Sequence, residues 1–559
     1  MKVRFFALSG VMTIIIITIL LMISADHRNS NKSNPNSTKS TPTIEILPTV
    51  TQTPVVHEEN DPGIYPTYKI IDNEITYGYI NSKGEYVINP AFRMANDFHD
   101  GYAVVYMGNQ YLLIDTTGNI IYTSNNMIRD FNNGACVISN KNVNDTLYGY
   151  VNGQGKEIIP AKYVYAGDFS KDKTAYVYQG NGEYLQIDQT GKTLNQYKLN
   201  PKYNPIDIED GYIIYYNSKT DCYGVINFNE EVVFKAIYSE ITYMDNQLFA
   251  VKKPNSKFGG MSYANPAALF HADGSQITDY TLYDISSFHY GYASVTDSKY
   301  TYFIDMQGKE ATNLPKYEGR GTLTYYGDII KASLDRDLIY YKLDGTIVWQ
   351  NDTTQKLSEQ LAIKQSKYKP NKYAVIYYPS LIGLSDSSVQ NKINSKLKSI
   401  FVNTRKNLKE SDLLSVEDTF HSKLLKNLLV IERDGYDFPF GAAHGMPIMD
   451  YHYIDLQNGN LYTLKDLFIQ NSDYILTLNN IIKAQIVADN ASDSIHYFEN
   501  GFKGISPEQP FILNDHSLTI YFSPYDIAPY AAGFPKFEIP FDDINQYINM
   551  DGSFWKSFH

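Results

Sequence analysis

Two stretches, YGYINSKGEYVINP at Tyr77–Pro90 and YGYVNGQGKEIIP at Tyr148–Pro160, decide how the middle of this chain is read. Each places an aromatic strand before an Asn-x-x-Gly turn and a second strand after it. Asn or Asp followed shortly by Gly supplies the left-handed residue that a tight hairpin needs. The pattern recurs as YLLIDTTGNIIY, YLQIDQTGKTL, YGVINFNEEVVF, AALFHADGSQIT, YTYFIDMQGKEAT and IYYKLDGTIVW. Its turn positions are Gly84, Gly118, Gly155, Gly191, Glu230, Gly274, Gly308 and Gly345, spaced by 34, 37, 36, 39, 44, 34 and 37 residues. The flanking strands alternate, with Tyr111, Leu113 and Asp115 set against Leu112 and Ile114, so each hairpin has a face to bury. A second phrase, FHDGYAVVY, FNNGACVIS, IEDGYIIYY or FHYGYASVT, reads as a loop and the first strand of the next unit. A period near 37 suits three to four short strands per unit. Residues 63–350 therefore read as a mainly β repeat array, either a propeller-like ring or an open solenoid of hairpins.

These phrases resemble the WG-repeat (KWG-like) family of bacterial β-repeat proteins, most closely at Tyr77–Pro90, Tyr148–Pro160, Phe98–Val104 and Phe288–Val295. Tyr stands where that family has Trp, and Asn229-Glu230 replaces Gly at the fifth turn, which is expected to be rebuilt and not lost. Arrays of this kind bind more often than they catalyse, because loops from many units form one broad surface. The 50 Tyr residues admit two readings: core and cross-strand packing, or an exposed aromatic surface for sugars or a peptide.

Upstream, Lys2 and Arg4 precede an apolar run from Phe5 to Ile23, long enough for a helix to cross a bilayer core of about 30 Å. An A-x-A-like exit is missing before Ala25, so residues 1–25 read as an uncleaved signal anchor, with secretion after cleavage as the alternative. The basic flank then leaves the bulk of the chain extracytoplasmic on a single-pass anchor. Residues 26–62 are rich in Ser, Thr, Asn and Pro and read as a disordered stalk. A net charge of −13 argues against a nucleic-acid partner. Cys136 and Cys222 fall at unlike positions of units one whole unit apart and are expected to stay unpaired.

After Trp349 the hairpin pattern stops. Residues 351–369 read as a polar junction and 370–559 as an α+β domain. Strands are expected at Lys372–Pro379, Leu424–Phe438, Met446–Leu456 and Ser517–Tyr525. One amphipathic helix is capped by Ser385 or Asp386 and carries Val389, Ile393, Leu397 and Phe401; another spans Asp473–Ala488. FPFGAAHGMP (Phe438–Pro447), LYTLKDLF (Leu461–Phe468) and YFSPYDIAPYAAGFPKFEIPF (Tyr521–Phe541) resemble the extracytoplasmic domain DUF3298, and the strand and helix before them resemble its companion DUF4163. Relatives of that kind occur in envelope proteins, on some membrane-bound anti-sigma factors and beside some peptidoglycan deacetylases. The resemblance implies an envelope-facing sensing or binding module, not catalysis.

The residues agree with that implication. A deacetylase needs Asp-Asp-Gly and His-x-x-x-His; Asp542-Asp543 is followed by Ile544, and neither His421 nor His516 has a second His four residues on. Only four residues precede the apolar run, too few for the cytoplasmic domain of an anti-sigma factor. The best constellation left is His444, Asp450, His452 and Asp455, with no spacing that supports a metal site. His444, His452, Tyr525, Tyr530 and Gly533 are the ligand-contact candidates; no catalytic residue, metal or cofactor is expected. Charge also segregates: residues 364–409 carry a net +9 and residues 410–559 a net −13. The basic part could face anionic wall polymer or lipid headgroups, and the acidic part a cationic protein. The reading is a non-enzymatic cell-envelope binding or sensing protein that contacts an envelope polymer or a wall-associated protein. The alternatives are an unrecognised peptidoglycan-acting hydrolase and a protein-assembly scaffold.

Overall fold

The structure is a computed structural model describing residues 62–71, 74–141, 146–254, 265–297, 299–491 and 495–559, with Glu410 described by its backbone alone. The apolar run Phe5–Ile23 and residues 26–61 of the stalk lie outside the described residues. Among the described residues no helix is long and apolar enough to cross a membrane. Two compact units meet in sequence at Asp352 and Thr353.

Among the described residues the first unit is a β-rich repeat array of eight antiparallel sheets, each three or four strands in simple meander order. They comprise β1–β3 (residues 64–92), β4–β7 (94–124), β8–β10 (135–163), β11–β14 (165–198), β15–β18 (204–238), β19–β21 (240–271), β22–β25 (284–318) and β26–β29 (321–350). The glycine of the YG phrase has a steric reason. A Cβ on Gly78, Gly149 or Gly224 would stand 2.5, 2.4 or 2.8 Å from the carbonyl oxygen of Ile88, Ile159 or Phe234 on the next strand. At each place that next strand slips register, so its backbone presses against the glycine. The fifth turn is rebuilt as expected. Glu230 takes the left-handed conformation at φ +62°. Its N–H donates to Asn227 O at 2.9 Å, as Gly84 N–H does to Asn81 O. The Glu230 carboxylate also accepts the N–H of Asn200 at 2.8 Å, a contact glycine could not make.

Between each sheet and the next lies a separate apolar cluster, such as Tyr79, Phe92, Phe98 and Val105 between the first and second. A cluster of Tyr65, Ile80, Tyr326, Ile329 and Tyr340 joins the eighth sheet to the first. A latch repeats as well. Tyr79 and Tyr150, each five residues before its turn glycine, are fully buried and donate to Asn96 O at 2.8 Å and Gly167 O at 2.7 Å. Tyr340, at the same position of the last unit, donates to Pro66 O of the first sheet at 2.5 Å. Lys331 and the Tyr326 hydroxyl reach Asp97 at 2.7 Å each. Burial alone would raise the Asp97 pKa, but the Lys331 charge and these hydrogen bonds outweigh it and hold the carboxyl below its ordinary value. Cys136 and Cys222 are both buried and free, on the third and fifth sheets.

The second unit is an α+β domain. Its main sheet has seven strands in order: β30 (Thr354–Lys356), β31 (Ala362–Asn371), β32 (Ala374–Ile382), β33 (Leu414–Leu425), β34 (Leu428–Pro439), β35 (Met446–Asp455) and β36 (Leu461–Tyr462). Only β32 and β33 pair in parallel, across the connection that holds the helix α1 (Ser387–Lys398). The region expected to be a polar junction, 351–369, contributes β30 and most of β31; its lysines and glutamines hide a strand with few buried side chains. The expected strand Leu424–Phe438 is mostly β34; its first two residues end β33, a strand from Leu414 that the sequence reading did not include. The chain turns at Lys426, φ +49°, with no glycine to signal it.

Both faces of this sheet are covered. Ile393 and Leu397 of α1, capped by Asp386, pack with Ile376, Val416, Ile431 and Ile454. The other face, with Leu428, Val430 and Tyr453, lies under α2 (Tyr474–Ala491) and a small sheet of β37 (Phe511–Leu513), β38 (Ser517–Tyr521) and β39 (Lys536–Pro540). On the α1 side sits a buried ion network. Arg405 makes paired hydrogen bonds of 2.7–3.0 Å to both Asp418 and Asp437, and Arg433 donates to Asp418 at 2.8 Å. Asp418 is wholly buried, and these guanidinium groups supply its hydrogen-bond donors and the opposite charge there.

Candidate functional site

Two loops far apart in sequence meet at the end of the long β34–β35 hairpin. The first, Phe440–Gly445, is pinned from behind by Tyr436, whose hydroxyl accepts the Gly445 N–H at 2.9 Å. A Cβ on Gly445 would lie 2.6 Å from the Tyr436 ring, so glycine lets ring and loop lie together. The second loop follows β38. Buried Ile527 and Ala528 root it in the domain, Phe498 N–H donates to Ile527 O at 2.9 Å, and Asp526 accepts the Ser523 N–H at 2.9 Å.

His444 stacks on Tyr530 with ring centroids 3.9 Å apart, and Tyr525 lies at 6.3 Å, nearly parallel. The Tyr525 hydroxyl stands 3.3 Å from His444 Nε2. Burial and then the neighbouring Tyr436 push the Tyr530 pKa upward, so this hydroxyl keeps its proton at neutral pH. Tyr525 is the only exposed tyrosine among the described residues, 49% accessible, and its backbone is left-handed at φ +73°. A bulky side chain in that region is strained, and such strain collects at binding sites. Gly533 ends the short turn Tyr530–Ala532 at φ +61° and donates to Tyr530 O at 2.9 Å, with open space where a Cβ would be. Behind this loop is an open cleft of about 360 Å³ bordered by Lys503, Gln509, Tyr521, Ser523 and Asp526.

The structure thus brings together His444, Tyr525, Tyr530 and Gly533. His452 stands apart. Its Nε2 is buried with no hydrogen-bond partner, on the α1 side of the main sheet, and burial lowers its pKa to about 4. Asp450 shares that face and lies 3.6 Å from Arg433. Asp455 instead accepts from Gln457 N, Asn458 Nδ2 and the Tyr462 hydroxyl within its own turn. Among the described residues no three His, Cys, Asp or Glu side chains are placed to hold a metal. Sequence reasoning missed Tyr436, which carried no signal because it reads as one more strand tyrosine. The described tyrosines of the array are buried or half-buried, which favours the packing reading for them.

With that geometry in view, residues 465–542 match the family described as "Protein of unknown function (DUF3298)", and residues 77–111, 148–182 and 223–258 match the "WG containing repeat". The chain carries WG repeats ahead of a DUF3298 domain. The loop with Tyr525, Tyr530 and Gly533 lies inside the DUF3298 match, and His444 lies before it. Among individual relatives, the anti-sigma-V factor RsiV of Bacillus subtilis (strain 168) is 33% identical over 190 residues, covering 30% of this chain and 63% of RsiV. The chain thus spans somewhat under two thirds of that relative. A DUF3298 family member from Bacteroides fragilis NCTC 9343 is 20% identical over 37% of this chain and 97% of its own, with a TM-score of 0.30. A DUF3298 family protein from Pseudomonas aeruginosa PAO1 is 17% identical over 35% and 95%, with a TM-score of 0.26. BamB from Moraxella catarrhalis is 10% identical over 54% and 98%, with a TM-score of 0.27.

Proposed function

We propose that this chain is a non-enzymatic cell-envelope binding or sensing protein, held outside the cytoplasmic membrane by a single-pass anchor at Phe5–Ile23. Its C-terminal unit contacts a wall component or wall-associated protein through His444, Tyr525, Tyr530 and Gly533. The observation that carries this reading is the meeting of two distant loops in an exposed imidazole–phenol stack, with Tyr525, the one exposed tyrosine among the described residues, strained at its edge. Flat aromatic groups with polar tips suit sugar faces and protein hot spots alike. Similarity to an anti-sigma factor supports an envelope-sensing role for the shared portion. His452 is left out of the surface and assigned to the sheet interior. For the array, we infer an eight-bladed ring; the cluster and the Tyr340 latch between last and first sheets support closure.

The test is titration of the extracytoplasmic chain with wall fragments and with cationic wall-attacking proteins, at low and high salt. Tyr525→Ala or Tyr530→Ala should weaken one of these interactions by about 2 kcal/mol with an unchanged melting temperature. Saturable binding untouched by either substitution would remove the surface from consideration.

A further inference from the structure

A second surface of the C-terminal unit is built from α1 and the segment after it. The buried stripe of α1 is Ile393 and Leu397, continued by Phe401 and Val402 in a short π-helical turn, Ser399–Asn403. The opposite side shows Ser388, Asn391, Lys392, Ser395, Lys398 and Ser399 to solvent, and Lys406, Asn407 and Lys409 extend it. Among the described residues, Lys392, Lys396, Lys398 and Lys406 form no ion pair. The partners of Lys392 are neutral: Asn458 O at 2.8 Å and Asn460 Oδ1 at 3.0 Å. Asp386, the lone acid between Lys364 and Lys409, is taken up capping α1 through the N–H groups of Ser388 and Val389. Arg405 belongs to the buried network and adds nothing to this face. Partial burial, and then the charge of Lys392, pull the Lys396 pKa down.

We propose that this face binds a flexible anionic polymer of phosphodiester type, as a second attachment to the envelope independent of the aromatic surface. Two observations select the occupant. Lysines alternate with Ser and Asn groups that can hydrogen-bond phosphate oxygens and hydroxyls, which suits a polymer lying along the helix. No exposed large hydrophobic side chain lies between Ile382 and Leu413 among the described residues, and the apolar face of α1 is buried in the core. An amphipathic helix that seats itself in a bilayer needs such a face free. Charge complementarity therefore points to a polyanion and away from insertion into lipid.

The experiment titrates the full extracytoplasmic chain with poly(glycerol phosphate), with vesicles containing anionic phospholipid, and with an uncharged glycan chain, over a salt series. Expected are saturable binding to poly(glycerol phosphate) that weakens steeply with salt, weaker binding to vesicles and none to the neutral glycan. The triple variant Lys398→Gln/Lys406→Gln/Lys409→Gln should lower affinity at least tenfold and reduce the log–log salt slope by about 2. The matching Lys→Arg triple variant should restore both, and Tyr525→Ala should leave polymer binding unchanged. Binding that ignores the glutamine substitutions, tighter binding to vesicles, or no binding to the polymer would each overturn the proposal. Because Tyr525→Ala reports on the other surface, failure of one reading is distinguishable from failure of the other.

Discussion

Lowering the pH should destabilise the C-terminal unit through one buried imidazole. His452 lies opposite Ile431 in the β34–β35 pair, with Nε2 sealed from water and unpartnered. Burial is the largest influence on it; Asp450 favours the proton and Arg433 opposes it, leaving a pKa of about 4. In the unfolded chain the group titrates near 6.5, so between these values only the unfolded state takes up the proton. The stabilisation is complete above about pH 6.5 and is lost as pH falls through about 4, with a limit of about 3 kcal/mol. Between pH 7 and pH 5 the expected loss is about 2 kcal/mol. Carboxylates titrate over the same range, so the quantity to measure is the difference from His452→Leu, which removes the titration along with an unpartnered polar atom. The chain has two tryptophans, Trp349 in the array and Trp555 in the C-terminal unit. In a Trp349→Phe background, Trp555 fluorescence therefore follows urea unfolding of the relevant unit alone. The parent should lose about 2 kcal/mol more than His452→Leu on going from pH 7 to pH 5. Equal losses would refute the idea that this histidine is held neutral by burial.

Three further outcomes follow from the packing. Gly149→Ala should cost about 1–3 kcal/mol in array stability by overpacking, since its Cβ would meet the Ile159 carbonyl at 2.4 Å, whereas Gly101→Ala meets no atom within 4 Å and strains only a positive φ; thermal melts compare them. Tyr340→Phe should cost about 1–2 kcal/mol by leaving the buried Pro66 carbonyl without its donor, and should speed hydrogen exchange in the first and eighth sheets ahead of the fourth. Arg405→Ala should cost about 3–5 kcal/mol in the C-terminal unit, because Asp418 and Asp437 lose their shared partner; a change under 1 kcal/mol in urea unfolding would show that water or Arg433 compensates.

The array was legible because its signals are local. Asn-x-x-Gly turns and alternation act within a dozen residues, and a period near 37 repeats them along the chain. Even the missing glycine at the fifth turn could be anticipated, since Asn227 still supplies the turn-forming side chain. What escaped was non-local. The reversal at Lys426-Asn427 carries no glycine, and β33 before it went unread apart from its last two residues. The lysine-rich strand β31 lacks the apolar alternation by which strands are recognised. Arg405, Asp418 and Asp437 are separated by up to 32 residues, and only the folded sheet makes them a network.

The candidate site shows the same division between local and distant information. The loop Pro524–Gly533 carried its own signature: two Pro-Tyr pairs, an Asp three residues after Ser523, and small residues where the backbone must turn. Within that loop Asp526 accepts the Ser523 N–H, Ile527 and Ala528 are buried, and Tyr525, left-handed at φ +73°, is exposed. Among the described tyrosines it alone is exposed, although composition would assign it to packing like the rest. His444 gave a weaker signal, a histidine in a Gly/Ala turn, and its meaning depends on Tyr530 arriving from 86 residues away to stack against it. Neither loop is a surface by itself. Each supplies half of a flat group, and the long hairpin β34–β35, held close to its loop end by Arg405 through Asp437 and through Asp418 of the neighbouring β33, carries the first half to the second. Loss of the ion network should therefore weaken ligand binding through misplacement of His444 as well as lower stability. Measuring affinity of Arg405→Ala well below its melting temperature separates the two effects: unchanged affinity there would mean that the loops hold each other without the hairpin's help.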